Sequence, residues 1–240
     1  DLMSLFRMVI LIYKEAPDIV HSHTPKAGII SMLAGLLCNV PYRLHTIAGL
    51  PVMEATGLKR LLLLFIDWLT CKCATKIYPN SYGLKNFIVE NGLAPEKKMS
   101  VLGFGSSNGV DSEYFNICDD LKKSSDIQKH RYNLSNCFVF TFIGRIVKDK
   151  GVEELLDAFV KLSEELQNVR LVIIGNQEPT TDPLSSEALA ELQNNKDIIL
   201  VDFQDDIRPF LIISDCLVLP SYREGFPNVV MQAACMNVPS

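Results

Sequence analysis

The residues best suited to chemistry lie in two loops of the second half of the chain. The apolar run Phe138–Ile143 ends in Gly144-Arg145, and Lys150 follows five positions later. Gly151 then opens an amphipathic stretch carrying Leu155, Leu156, Phe159, Leu162 and Leu166. This order sets two fixed cations beside the N-terminal end of a helix, an arrangement suited to a diphosphate. The second loop is Pro220-Ser221-Tyr222-Arg223-Glu224-Gly225-Phe226-Pro227-Asn228. Glu224 can accept hydrogen bonds from ligand hydroxyls, Gly225 lets the backbone come close, and the N–H groups of a helix starting near Pro227 suit an anion. Each feature also has a plainer reading. Glu224 could cap a surface turn, and Arg145 and Lys150 could be solvated loop cations.

Elsewhere the signals are weaker. Gly103-Phe104-Gly105-Ser106-Ser107-Asn108-Gly109 needs unusual backbone angles and offers many exposed N–H groups, but its spacing matches neither a Rossmann fingerprint nor a P-loop. His21 and His23 point the same way from one strand, yet no carboxylate or cysteine completes a ligand set, so a metal is not expected. The seven cysteines are scattered, and Cys71-Lys72-Cys73 has neither zinc nor redox spacing. Buried reduced thiols are expected of them. A net charge of −5 gives a nucleic-acid partner no electrostatic support. The longest apolar run, Leu61 to Ile66, is far short of the ~20 residues of a spanning helix.

The elements that must position these residues alternate between strand and helix. Leu2, Leu5, Phe6, Val9, Ile10 and Tyr13 fall at helical spacing before Pro17. Strands are expected at 18–23, 42–47, 77–79 and 99–102, and again at 138–143, 171–174, 198–201 and 215–219. Helices are expected at 27–38 and 57–73, after Ser81 as N-cap, after Gly151, at 187–194, and after Pro227. The helix at 57–73 is strongly apolar, with Lys59, Arg60, Lys72 and Lys76 at its ends. It reads as a core helix, or as a peripheral membrane contact through 57–76. Residues 1–112 form one expected domain, 113–135 a charged linker, and 136–240 a second domain where the α/β alternation restarts. The chain opens without Met inside a helix-like pattern and stops where a further strand belongs, so an internal fragment is expected.

Pro220-Ser221-x-x-Glu224-Gly225-Phe226 resembles the motif of retaining glycosyltransferases of family 4, the group 1 type. Asn108-Gly109-Val110-Asp111 with Phe115 resembles the segment that follows the last strand of that family's first domain, and Gly144-Arg145 with Lys150 resembles its phosphate-binding pair. The resemblance implies an α/β fold of GT-B architecture, with two Rossmann-like doubly wound parallel-sheet domains, both incomplete here. It implies retaining transfer of a sugar from a nucleotide diphosphate sugar, a UDP-sugar foremost. The acceptor would be a glycan or a polyprenyl-diphosphate-linked glycan, in capsule, lipopolysaccharide or other polysaccharide biosynthesis. The expected setting is the cytoplasm, at the inner face of the cytoplasmic membrane, with no metal or other cofactor. Arg145 and Lys150 would hold the diphosphate leaving group and Glu224 would orient the sugar. Gly144, Gly175, Gly225, Phe226, Pro227 and Asn228 would bind the donor, and position 232 its ribose. Lys26, Asn108 and Gly109 would lie near the cleft.

Three positions depart from the family pattern. The second glutamate, eight positions after the first, is Gln232, which can bond a diol only without charge assistance. Ala48 occupies the slot of a histidine that faces the sugar, with His45 three residues earlier as either its substitute or a packed strand residue. Asn237 replaces a glycine and tolerates left-handed backbone. Two alternatives remain beside transfer: a non-catalytic nucleotide-sugar-binding fragment, and a sugar-nucleotide epimerase on the same architecture.

Overall fold

The computed structural model describes residues 2–106, 108–180, 182–222 and 224–240. Ser107 and Arg223, both in the loops singled out above, lie outside them. The chain forms two compact units, one of Asp1–Asn108 with Arg223–Pro227, the other of Gly109–Tyr222 with Asn228–Ser240.

The first unit runs α1 (Leu2–Glu15), β1 (Ile19–Ser22), α2 (Pro25–Leu37), β2 (Tyr42–Ile47), α3 (Gly57–Cys73), β3 (Lys76–Pro79) and α4 (Tyr82–Glu90). Its sheet is parallel in the order β1-β2-β3. Parallel strands need a crossover between them, and the apolar helices α2 and α3 supply it. One core joins Met32, Ile47, Ile77, Leu84 and Ile88, and α3 contributes Leu63, Leu64, Trp68, Leu69 and Cys71 to it. The opposite side of α3 stays in solvent, with Leu58, Leu61, Leu62 and Phe65 all exposed. The core-helix reading therefore describes only one face. Ser81 caps α4 as expected, its hydroxyl accepting from the Leu84 N–H at 3.1 Å. The strand expected at 99–102 is reduced to a single bridge between Ile77 and Met99, and Leu102 is exposed.

The second unit runs α5 (Asp119–Arg131), β4 (Phe138–Ile143), α6 (Val152–Glu165), β5 (Val169–Ile174), α7 (Ser186–Asn194), β6 (Ile198–Val201), α8 (Arg208–Ile212), β7 (Cys216–Leu217) and α9 (Asn228–Cys235). Its parallel sheet has the order β6-β5-β4-β7. Alternate residues of β5 feed opposite cores. Leu171 and Ile173 meet Val152, Leu156 and Phe159 of α6 and Leu192 of α7, while Val172 and Ile174 meet Leu134 and Phe210. That is a sheet covered on both faces, which is why β5 reads as an unbroken apolar run. The stretch expected as linker, 113–135, instead carries α5, which packs against α8 and buries Leu121 and Ser125. The units divide between Asn108 and Gly109 rather than after 112. Asn237 has φ 59, the left-handed backbone expected of it. Among the described residues no helix is long and apolar enough to cross a membrane.

Candidate functional site

In an open parallel α/β sheet, the loops at the carboxyl ends of the strands are where ligands bind. In the second unit, two such loops run side by side. The Gly144 N–H donates to the Ile174 carbonyl at 3.0 Å, and the Ile146 N–H to that of Asn176 at 2.9 Å. Gly175 has φ 146, and a Cβ there would run into the Gly144 carbonyl oxygen. Only glycine fits such backbone at such an approach. The paired loops open onto a cleft of about 410 Å³ lined by Gly144, Arg145, Gly175, Glu178, Phe203 and Gln204 among others.

Arg145 sits at this cleft with its side chain 46% exposed. Its Nη1 donates to Glu178 Oε2 at 3.0 Å, and its Nη2 lies 3.8 Å from Asp149 Oδ2. Half-exposed pairs of this kind are worth about 0–1 kcal/mol, so an incoming phosphate can take over the guanidinium at small cost. Lys150 ends a short 3-10 turn, Lys148–Lys150, closed by Gly151 at φ 69. Its Nζ lies 3.5 Å from Ser221 Oγ, which donates to the Asp149 carbonyl at 3.3 Å. The Tyr222 N–H reaches the same carbonyl at 3.1 Å, and the Tyr222 hydroxyl donates to Glu154. A Cβ on Gly151 would meet the Pro220 carbonyl. The loops after β4 and β7 are thus tied together. The first turn of α6 already holds two carboxylates, Glu153 and Glu154. They offset the dipole there, so attraction for an anion rests on Arg145 and Lys150 themselves.

Asn228 and Gln232 stand one turn apart on α9, both half-buried. Pro227 immediately precedes this helix, and Gly109 opens the second unit at φ 69.

The remaining candidates belong to the first unit. Residues 224–227 pack there, although they lie in sequence between β7 and α9. A Cβ on Gly225 would strike both the Asn80 side-chain oxygen and the Ala48 carbonyl. A Cβ on Gly105 (φ 116) would lie 2.7 Å from the Asn80 carbonyl oxygen and 2.9 Å from the Phe226 ring. These two glycines are therefore where the Gly-rich loop and the Glu224 loop come within side-chain-excluding distance of their neighbours. The Asn108 N–H donates to Ser106 Oγ at 3.3 Å. Lys26 is exposed in the first turn of α2.

Of the two readings of His45, the structure gives it the surroundings of a packed strand histidine. It is 4% exposed, Nδ1 is 2.8 Å from Ser22 Oγ, and the ring fills the space over Gly28. Burial lowers its pKa to about 4, against the opposing hydrogen bond from Ser22, so the ring is neutral at pH 7. The His21 and His23 rings lie with centroids 4.2 Å apart, tilted at 40°. Among the described residues no group of three or more His, Cys, Asp or Glu is placed to hold a metal ion.

Sequence reasoning did not reach Glu178 and Gln204 as members of the cleft. Their signal was position alone, since both follow strands whose carboxyl ends share the edge that carries Arg145.

Comparison with known proteins finds families and structures that the chain resembles. The family described as Glycosyl transferases group 1 matches residues 124–240, and that described as Glycosyl transferase 4-like matches residues 1–81. The chain is 38% identical over 239 residues to the Staphylococcus aureus capsular polysaccharide biosynthesis glycosyltransferase CapM, covering all of this chain and 62% of that protein. It is 30% identical to an Escherichia coli UDP-Gal:alpha-D-GlcNAc-diphosphoundecaprenol alpha-1,3-galactosyltransferase, covering all of this chain and 61% of that protein. The chain thus spans about three fifths of the length of these curated relatives. Anabaena HepE in complex with UDP-glucose superposes at a TM-score of 0.78 with 15% identity, over 98% of this chain and 61% of that one. Two parallel-sheet α/β units, the loop motifs and these matches agree: the chain has the GT-B fold, and its two halves match glycosyltransferase families, the 4-like in the first half and group 1 in the second.

Proposed function

We propose that the protein to which this chain belongs transfers a sugar, with retention, from a nucleotide diphosphate sugar to an acceptor hydroxyl in polysaccharide assembly. The proposed donor is a UDP-sugar and the proposed acceptor a polyprenyl-diphosphate-linked glycan. The setting we propose is the cytoplasm at the membrane face. What carries the reading is the cleft where the Gly144-Arg145 and Gly175 loops run together, with Lys150 anchored beside Ser221. Departure of a nucleoside diphosphate leaves negative charge on phosphate oxygens, and fixed guanidinium and ammonium groups stabilise it. Within this proposal those two cations do the work a metal ion would do at a diphosphate, and Glu224 orients the donor hydroxyls. The names of two relatives support the substrate classes, one a capsular polysaccharide glycosyltransferase, the other a galactosyltransferase acting on a diphosphoundecaprenol-linked sugar. The HepE structures with UDP and with UDP-glucose support the nucleotide class.

The test is calorimetry of UDP, GDP and ADP with this chain and with Arg145→Ala. UDP should bind best, and the substitution should weaken it at least about tenfold, the loss of a charge-assisted pair of hydrogen bonds. A folded chain that binds none of the three, or an Arg145→Ala variant that binds UDP unchanged, would refute the diphosphate site. Product analysis of the full-length protein with a UDP-sugar then separates transfer from epimerisation.

A further inference from the structure

We infer that the outward face of α3 is a membrane-docking surface that lies on a bilayer bearing anionic headgroups. The inference deepens the membrane-face setting proposed above, while its argument comes from this face and not from the transfer reaction. Leu58, Leu61, Leu62 and Phe65 recur at the spacing of one helix face and are 85%, 63%, 59% and 56% exposed. Four large apolar side chains in line on one exposed helix are a patch that calls for an apolar partner. Lys72 continues the stripe seven positions after Phe65, and its Nζ sits 4.6 Å above the Trp68 ring. Trp68 and Phe65 stack at 5.9 Å. Lys59 flanks the other end of the stripe. Apolar side chains in line, a tryptophan at the margin and lysines at both ends make the pattern of a helix lying in the headgroup plane.

Charge also selects the occupant. The acid within α3, Asp67, is 7% exposed and lies on the opposite face. Beyond the helix, residues 1–108 carry eleven Lys and Arg against seven Asp and Glu, whereas residues 109–240 carry twelve against twenty-one. The chain is acidic as a whole, yet the part that contains α3 is basic. An anionic surface is complementary to it. A second copy of the chain is a poorer fit, because in a two-fold contact the same patch meets itself and brings lysine against lysine.

The chain's single tryptophan is at the margin of the proposed surface and reports on it directly. Phosphatidylcholine vesicles with and without phosphatidylglycerol would be added to the chain, following Trp68 emission and co-sedimentation. A blue shift and salt-sensitive co-sedimentation are expected with the anionic vesicles, and little of either with phosphatidylcholine alone. Leu61→Gln/Phe65→Gln should lower vesicle affinity about tenfold or more while leaving the thermal unfolding midpoint unchanged, since both side chains are exposed. Lys59→Gln/Lys72→Gln should abolish the preference for phosphatidylglycerol. The inference is overturned if the chain ignores anionic vesicles, or if either double variant binds them as well as the parent. It is equally overturned if the parent is a dimer that Leu61→Gln/Phe65→Gln converts to monomer. UDP calorimetry on the same preparations fails or succeeds independently, so the two readings fall separately.

Discussion

At the scale of single residues, the sharpest prediction concerns Gly175. A methyl group there would collide with the Gly144 carbonyl while the backbone holds φ at 146, so a side chain faces both overlap and torsional strain. Gly175→Ala should cost roughly 2–4 kcal/mol of stability in chemical denaturation, well above an ordinary exposed glycine substitution. A loss below about 1 kcal/mol would show that the two loops can separate without penalty. Gln232 offers the converse test, because the resemblance implies that its position holds the ribose through a carboxylate. Gln232→Glu should tighten UDP binding by roughly threefold to tenfold in calorimetry, since charge-assisted acceptors are about twice as strong as neutral ones. An unchanged constant would remove position 232 from the ribose. Arg145 and Lys150 stand out in the sequence as candidates because glycines and cations cluster there around an obvious strand end. Glu178, the partner of Arg145, was not, since it arrives from the loop after a different strand and no local pattern announces it. The environment of His45 was equally hidden. Its contact with Ser22 exists only because β1 and β2 pair in the register that sets those two residues side by side.

At the scale of elements, most hydrophobic runs became strands, but the run at 99–102 left only a bridge and that at 215–219 only Cys216–Leu217, and boundaries failed where an element buries little. Residues 119–131 are so polar that they read as linker, yet burying little beyond Leu121 and Ser125 suffices to seat α5 against α8. α3 was legible as a helix, but not which of its faces meets the core, because it is apolar on both. Its buried face makes a prediction of its own. Asp67 has a side-chain oxygen with no hydrogen-bond partner, and burial raises its pKa to about 6 from 3.8. A group whose folded pKa is raised binds more protons in the folded state, so its contribution is favourable below 3.8 and is lost as pH rises through about 6. Asp67→Asn should therefore stabilise the chain at pH 7 by on the order of 2 kcal/mol, with the gain fading as the pH falls toward 4. His45 works in the other direction. Its folded pKa of about 4 lies below the ordinary 6.5, so its contribution is lost as pH falls across that window. Urea unfolding at pH 4.5 and 7 on both Asp67→Asn and His45→Gln would separate the two slopes. A pH-independent Asp67→Asn effect would mean the carboxylate is solvated in the folded state.

At the scale of the molecule, the restart of strand–helix alternation near residue 138 made two α/β units legible, and their opposite charge balance gives them different partners to recognise. The second unit is acidic in sum yet presents a cleft lined by the Arg145 guanidinium, a local trap for one small anion. The first presents a basic surface carrying an exposed apolar helix face, fit for an extended one. A ligand that binds only the folded state slows opening where it binds, and the protection it confers maps its site. Amide hydrogen exchange on the whole chain should therefore give two non-overlapping footprints. UDP should protect the loops at 144–151 and 175–178, while α3 exchanges at its unliganded rate. Anionic vesicles should protect 57–72 and leave those loops unchanged. Vesicle protection centred on 144–151 would instead mean that Arg145 and Lys150 bind phosphate headgroups as readily as a nucleotide, and the cleft would lose its claim to be a donor site. UDP protection centred on α3 would assign the lysines there to the nucleotide and remove the argument for a bilayer.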